Sequence, residues 1–307
     1  MNRQTITPAS ESDWLALRIN DITSTDVSAL FGMSPYKTKY ELWHEKKAAT
    51  RAPFVENERV VWGKRLQAVV AEGIAQDKRW VVRPFKEYVR LPDCNVGSSF
   101  DYVVLGESSA ADQILEIKTV DALAFKNGWI VEDDYIEAPA HIELQVQHQL
   151  LVSGLTRAYI GALVGGNTVR VIERDADPAV HRGILAAARE FWESIAANRP
   201  PPPVMPDDAP AVIRMNQYAE PGKFFDGRGD AEFATLMQEY KRLGDVEKEA
   251  KEAREVIKAQ VLEKIGSAEK VLVDGGTISA SLVGPAEIPA FTRKPFRNFR
   301  FTPARAK

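Results

Sequence analysis

The chain is poor in the residues that build covalent or soft-metal scaffolds. Its 307 residues include one cysteine, Cys94, and four histidines. A single cysteine excludes an intramolecular disulfide and any cysteine-based zinc cluster. Two of the histidines, His141 and His148, are seven positions apart. On a helix that is about 10 Å, too far for both to bind one ion. No apolar run approaches the roughly 18–20 residues that span a bilayer, and the N-terminus lacks the basic-then-apolar pattern of a signal peptide. The expectation is a soluble, cytoplasmic protein with no membrane association. Positive charge is not in excess either: 40 basic against 43 acidic residues leave −3. Any contact with a polyanion therefore has to come from local patches. What the chain does have is apolar content, 45% of residues, enough for one large domain or a medium domain with an appendage.

The richest stretch runs from Gly97 to Val120: GSSFDYVV, a polar break, then QILEIKTV. Two β-branched, apolar runs around such a break predict two strands. In the second run Leu115 and Ile117 share one face, while Glu116 and Lys118 emerge on the other. Pairing the strands brings the Asp101 carboxylate beside Glu116. Two carboxylates with a neighbouring ammonium form a hard, oxygen-rich site for a divalent metal. The same spacing also suits a solvated strand face with an ordinary Glu/Lys pair, and on spacing alone both readings stand.

Around this centre the periodicity predicts helices over 10–18, 39–47 and 57–77, with a short one at 26–31 that Gly32 can end. In the 57–77 helix Leu66, Val69, Val70 and Ile74 make the expected buried stripe. Residues 79–91 suggest a hairpin or two strands broken near Pro84, and 125–135 a loop. Pro139 to Gly154 predicts a helix with an apolar row, Ile142, Val146 and Leu150, beside a polar row, His141, Gln145 and Gln149. Strands at 157–164 and 168–174 join through Gly165-Gly166-Asn167. A helix over 178–198 ends at the four prolines 200–203.

Four blocks in order, RINDITSTDVSALFGMSPY (18–36), WGKRLQ (62–67), Asp101…Glu116-Ile117-Lys118 and HIELQVQHQLLVSG (141–154), resemble the YqaJ-type viral recombinase and phage lambda exonuclease branch of the PD-(D/E)XK nucleases. The resemblance covers roughly residues 11–200. It implies an α/β fold of mixed α+β type: a restriction-endonuclease-like core whose central mixed sheet is flanked by helices. It implies Mg²⁺, with Mn²⁺ as a substitute, held by Asp101, Glu116, the Ile117 carbonyl and the position of Gln67. Lys118 and Gln145 complete the catalytic set, with Gln149 as a weaker candidate. Arg18, Thr25 and Ser99 match positions that hold a terminal 5′-phosphate. One departure is plain: where the family carries a glutamate, this chain has Gln67. An amide keeps an oxygen ligand and loses the charge.

The implied activity is 5′-to-3′ exonuclease action on duplex DNA with free ends, leaving 3′ single strands for phage-type recombination. The implied partners are a single-strand annealing protein and further copies of the chain, in a trimeric ring. An endonuclease of the same superfamily, or a catalytically weakened DNA-binding module, are the alternatives. The expected organisation is a nuclease domain over 1–200, a Pro/Gly-rich linker over 201–230, and a C-terminal appendage over 231–307. The appendage reads as a long helix from 231 to 265, a small strand pair, and a basic tail from Phe291 interleaved with phenylalanines. Such a tail suits a nucleic-acid surface or a packed terminal strand.

Overall fold

The computed structural model describes residues 1–49, 57–107, 110–133 and 135–284. The chain starts with β1 (Gln4–Ile6), α1 (Glu11–Ile19), β2 (Ile22–Thr23) and the single turn α2 (Val27–Leu30). Ser10 caps α1 by accepting from the Asp13 backbone N–H. Next, α3 (Lys39–Lys47) opens on a reciprocal capping box between Thr38 and Glu41. Asn57 caps α4 (Glu58–Lys78). Strands β3 (Val82–Pro84), β4 (Tyr88–Leu91), β5 (Val96–Ser98), β6 (Tyr102–Leu105) and β7 (Ala111–Val120) follow. Then come α5 (Ala122–Gly128), β8 (Ile130–Glu132), β9 (Tyr135–Glu137) and α6 (Ala140–Ser153). Gly154, at φ +77°, closes α6 in the left-handed conformation that a side chain resists. The core finishes with β10 (Arg157–Val164), β11 (Thr168–Asp175), α7 (Pro178–Ala196) and α8 (Ala209–Met215).

The strands form two larger sheets and two hairpins. One sheet has five strands in the order β11-β10-β7-β6-β3; the other has four, β1-β4-β5-β2. In the first, β7 and β10 are parallel and their other neighbours antiparallel, so the sheet is mixed. Ile114, Leu115 and Ile117 of β7 and Ala158, Ile160 and Ala162 of β10 are all buried, as a central parallel pair covered on both faces requires. On one face lies α4. Gly161 of β10 makes room for it, because a Cβ there would meet the Ile74 and Ile117 side chains. The four-stranded sheet lies under α6, whose Ile142, Val146 and Leu150 row is buried as its spacing predicts.

Several local expectations change. Gly97 to Val104 is not one strand: β5 belongs to the four-stranded sheet and β6 to the other, and residues 99–101 cross between them. Of the two readings of 79–91, the two strands broken at Pro84 stand and the hairpin does not, because β3 and β4 each find a partner in a different sheet. Residues 125–135 are not a loop; an Asp121-capped helix and a small hairpin take their place. Val69 is 66% exposed, and Ala71 joins Val70 and Ile74 on the buried stripe instead. The 201–230 stretch is not all linker. Asp208 is 1% exposed, accepts from Thr38 Oγ1 and from the Val204 N–H, and keeps residues up to Val212 with the core.

The chain divides into two compact units, Met1–Val212 and Ile213–Lys307. The second is dominated by α9 (Ala231–Ile265), capped by Asp230, with no buried residue along its length. Its apolar stripe, Phe233, Leu236, Tyr240 and Leu243, is exposed. Strands β12 (Lys270–Val273) and β13 (Gly276–Ser279) pair antiparallel around Gly275. The basic tail from Phe291 lies outside the described residues. Among the described residues no helix is long and apolar enough to cross a membrane.

Gly97 is where this packing is least tolerant. A Cβ there would run into Tyr88 Oη and Asp21 Oδ2. Asp21 is fully buried and already accepts from Tyr88 Oη at 3.1 Å and Arg90 Nη2 at 2.7 Å. Gly97→Ala is therefore expected to cost about 1–3 kcal/mol through overpacking. The urea midpoint of the first unit should fall at unchanged slope; an unmoved midpoint would show that Tyr88 yields freely.

Candidate functional site

Two carboxylates meet where β6 and β7 pair. Tyr102 lies opposite Leu115, so Asp101, one residue before β6, falls beside Glu116. Asp101 Oδ2 accepts from the Ile117 N–H at 2.9 Å, and Oδ1 from Gln67 Nε2 at 3.1 Å. Glu116 is 3% exposed and its two oxygens are held from α6. Gln149 Nε2 donates to Oε2 at 2.8 Å, and Gln145 Nε2 to Oε1 at 2.5 Å. Lys118 Nζ donates to Glu116 Oε1 at 2.6 Å and to Gln145 Oε1 at 2.9 Å. An ammonium can only donate, so the Gln145 carbonyl has to face it and the amide nitrogen has to face Glu116.

Electrostatics follow from this crowding. Burial, and after it the like charge of Glu116, push the Asp101 carboxyl up to about 7, against the opposing pull of Lys118 and the donor bonds. Burial works to lower Lys118, but the Glu116 and Asp101 carboxylates outweigh it and hold the ammonium above its ordinary value. A buried carboxylate pair of this kind is stabilised by a cation. Among the described residues there is no cluster of three or more His, Cys, Asp or Glu side chains. Carbonyl, amide and water oxygens would have to complete any metal shell here, the pattern of a hard, oxygen-seeking cation. Gln149 Oε1 is buried with no hydrogen-bond partner among the described residues.

Arg18, Thr25 and Ser99 also converge. Arg18 Nη2 donates to Thr25 Oγ1 at 3.1 Å. The Arg18 guanidinium lies 4.4 Å from the centroid of the Trp14 ring, and Trp14 Nε1 donates to Ser99 Oγ at 2.7 Å. Beneath them is an ion cluster. Asp26 accepts from the Thr23 N–H and hydroxyl at 3.2 and 2.8 Å and pairs with Lys46 Nζ at 3.0 Å. Lys46 also donates to the Arg18 and Asp21 carbonyls at 2.7 and 2.6 Å. Burial raises Asp26, but Lys46, Lys37 and Arg18 overcome it and hold the carboxyl well below the usual range.

The structure thus places Asp101, bonded to Gln67 and the Ile117 N–H, beside the bonded group of Glu116, Lys118 and Gln145, and connects Arg18, Thr25 and Ser99 through one hydrogen bond and the Trp14 ring. His148 belongs to neither. It is fully buried, its Nε2 meets the Ile22 carbonyl at 3.1 Å, and burial holds its pKa down to about 4. Sequence reasoning ranked Gln149 below Gln145, yet both hold Glu116; their i,i+4 spacing was the available signal. Nothing local marks Trp14 as the link between Arg18 and Ser99. Asp26 and Lys46 were missed altogether, since twenty residues separate them and nothing local pairs them.

Comparison with known proteins finds likeness over the stretch that carries these residues. Residues 13–156 match the YqaJ-like viral recombinase domain. The chain is 30% identical over 214 residues to YqaJ of Bacillus subtilis (strain 168), with 69% of this chain covered. It spans 64% of that relative's length. Two solved structures show likeness at low identity. An alkaline exonuclease (LHK-Exo) from Laribacter hongkongensis is 16% identical, with 61% of this chain and 94% of that one covered and a TM-score of 0.49. A phage related exonuclease from Haemophilus somnus 129PT is 11% identical, with coverages of 58% and 96% and a TM-score of 0.40. The match from 13 to 156 contains Arg18, Thr25, Gln67, Asp101, Glu116, Lys118 and Gln145, so this stretch of the chain is similar to the YqaJ-like viral recombinase domain.

Proposed function

We propose that the chain is a metal-dependent deoxyribonuclease that degrades linear duplex DNA from 5′ ends and leaves 3′ single strands for phage-type recombination. The observation that carries this reading is the Asp101–Glu116 pair with Lys118 bonded to both Glu116 and Gln145. Asp101, Glu116 and the Ile117 carbonyl would hold Mg²⁺, or Mn²⁺ in its place, with Gln67 at the edge of the shell. When bound, the ion supplies Lewis-acid stabilisation of the charge that builds on the scissile phosphate. The rest falls to the chain. Lys118, held charged, orients the attacking water; Gln145 keeps both Lys118 and Glu116 in place; Gln149 fixes the second oxygen of Glu116. Arg18, Thr25 and Ser99 present a guanidinium fork and hydroxyls, which suit the oxygens of a 5′-phosphate. The resemblance to the YqaJ-type and lambda exonuclease branch is what supports an annealing protein and further copies of the chain, as a trimeric ring, as the partners of this reading.

The test is Mg²⁺-dependent degradation of linear but not covalently closed circular duplex. Cutting of closed circles would establish the endonuclease alternative. Lys118→Ala and Glu116→Ala should each reduce the rate on the order of 10³-fold, with unchanged far-UV circular dichroism. Retention of a tenth of the rate, an effect of only about 1.4 kcal/mol, would remove these residues from the chemistry.

Gln67 bears on the weakened-module alternative, because it offers Asp101 a hydrogen bond where a glutamate would offer the ion a charge. Gln67→Glu is expected to lower the Mg²⁺ concentration for half-maximal activity and to increase the thermal shift that Mg²⁺ produces. An unchanged requirement would place Gln67 outside the metal shell.

End recognition is tested separately. Charge-assisted bonds to a terminal phosphate are worth about 1.5–3 kcal/mol each, and fixing that phosphate also fixes which bond meets the metal. Arg18→Ala should erase most of the preference for 5′-phosphorylated over 5′-hydroxyl ends. Equal rates on both ends by the unmutated chain would refute end reading.

A further inference from the structure

The helix α9 runs for 35 residues without a buried one among them. Helices in proteins draw most of their stability from packing an apolar face. On α9 that face is a stripe of seven exposed residues from Leu236 to Ile257, stepping by three or four positions. Six steps cover 21 positions, which is the 3.5-residue repeat of a left-handed coiled coil. The halves of the stripe differ in bulk. Turned end for end about the Val246–Glu247 bond, the stripe falls on itself: Leu236 on Ile257, Tyr240 on Ala253 and Leu243 on Ala250. A second α9 running the opposite way therefore sets Tyr240 and Leu243 over small side chains, the alternation of large and small that fills a core.

We propose that α9 is a docking surface for a second copy of this chain, whose own α9 packs antiparallel on the stripe with Val246 at the centre. Charge beside the stripe follows the same reversal. Glu239 and Arg254 exchange places, so each faces the other across the pair. Arg242, bonded to Glu239 within its own helix at 2.8 and 2.7 Å, comes beside the partner's Glu249. Gly244, where a Cβ would meet nothing, comes beside the partner's Lys251 and leaves room for its stem. The two copies of Glu247 approach near the centre, but the two kinds of opposite pair each occur twice and outweigh that contact. A parallel pair in register does the reverse: Glu239, Glu247 and Arg254 would each meet its own copy, and like charges there repel. Every residue involved lies in the second unit, so the pairing stands whether or not the first unit cleaves DNA.

The experiment measures the mass of the full chain by light scattering over a dilution series. Leu243→Asp puts a charge in the stripe of both helices and should reduce the mass about twofold or more, whatever assembly the first unit forms. A charge cycle then tests the direction. Glu239→Arg and Arg254→Glu should each raise the dissociation constant of the pair about tenfold, since each turns two attractions into repulsions. Together they restore opposite charges across an antiparallel pair, and the double variant should return to within about threefold of the unmutated chain. A local effect on the helix would make the two penalties add, to about a hundredfold. Equal masses for the unmutated chain and Leu243→Asp at every concentration overturn the proposal, and the stripe is then covered by the rest of the same chain or by a different protein. Loss of mass in Leu243→Asp with additive charge penalties overturns the antiparallel register.

Discussion

The pairing on which the rest depends is the parallel contact between β7 and β10. Two parallel strands cannot be joined by a tight turn; the chain has to cross over and return. Here the crossover carries α6, and a crossover between parallel neighbours has a fixed hand. That places α6 over the sheet with one face fixed by the buried Ile142, Val146 and Leu150. The adjacent row, Gln145 and Gln149, then has little choice but to meet Glu116 on β7. The donors around Glu116 are a consequence of topology, and the glutamines occupy the two positions that the geometry exposes to it.

The same logic runs through the smaller sheet. β2 is two residues long and pairs only with β5, too little to position a binding residue by itself. Its neighbourhood is held by charge instead: Asp21 with Arg90 and Tyr88, and Asp26 with Lys46. Removing one partner of such a buried pair typically costs about 3–5 kcal/mol, because the other charge is left stranded. Asp26 titrates below the ordinary carboxylate range. Its contribution to stability is therefore complete above the unfolded value, near 4, and is lost as pH falls through the folded one. Lys46 reaches past Asp26 to the Arg18 and Asp21 carbonyls. The backbone that presents Arg18 is thus tied to a largely buried ion pair.

Much of this was legible in residue order. Alternation in QILEIKTV put Glu116 and Lys118 on one face, the i,i+4 row named Gln145 and Gln149, and helical periodicity marked α1 and α4. What could not be read was long-range. Ser99 and Asp101 looked like alternate positions of one strand, yet residues 99–101 carry the chain from one sheet to the other. Ser99 is linked to Arg18 through Trp14, across 85 positions of sequence. Val69 matched the helical stripe, but α4 rests on the sheet where Gly161 leaves space, and that selects Val70, Ala71 and Ile74 instead. Local pattern gives each element its type, whereas the face it buries is decided by what it meets.

The ends of the five-stranded sheet carry a different consequence. One end is β3, three residues long and closed by Pro84, which has no N–H to offer a further strand. The other is β11, which carries Arg170, Glu173, Arg174 and Asp175. Its ion pairs to β10, from Arg157 to Glu173 and Asp175, keep charge along the rim. Short, proline-ended or charged rims resist the edge-to-edge growth that turns sheets into aggregates. Copies of this chain that meet at either edge of the five-stranded sheet find a short, proline-ended or charged strand there, a poor template for extending that sheet.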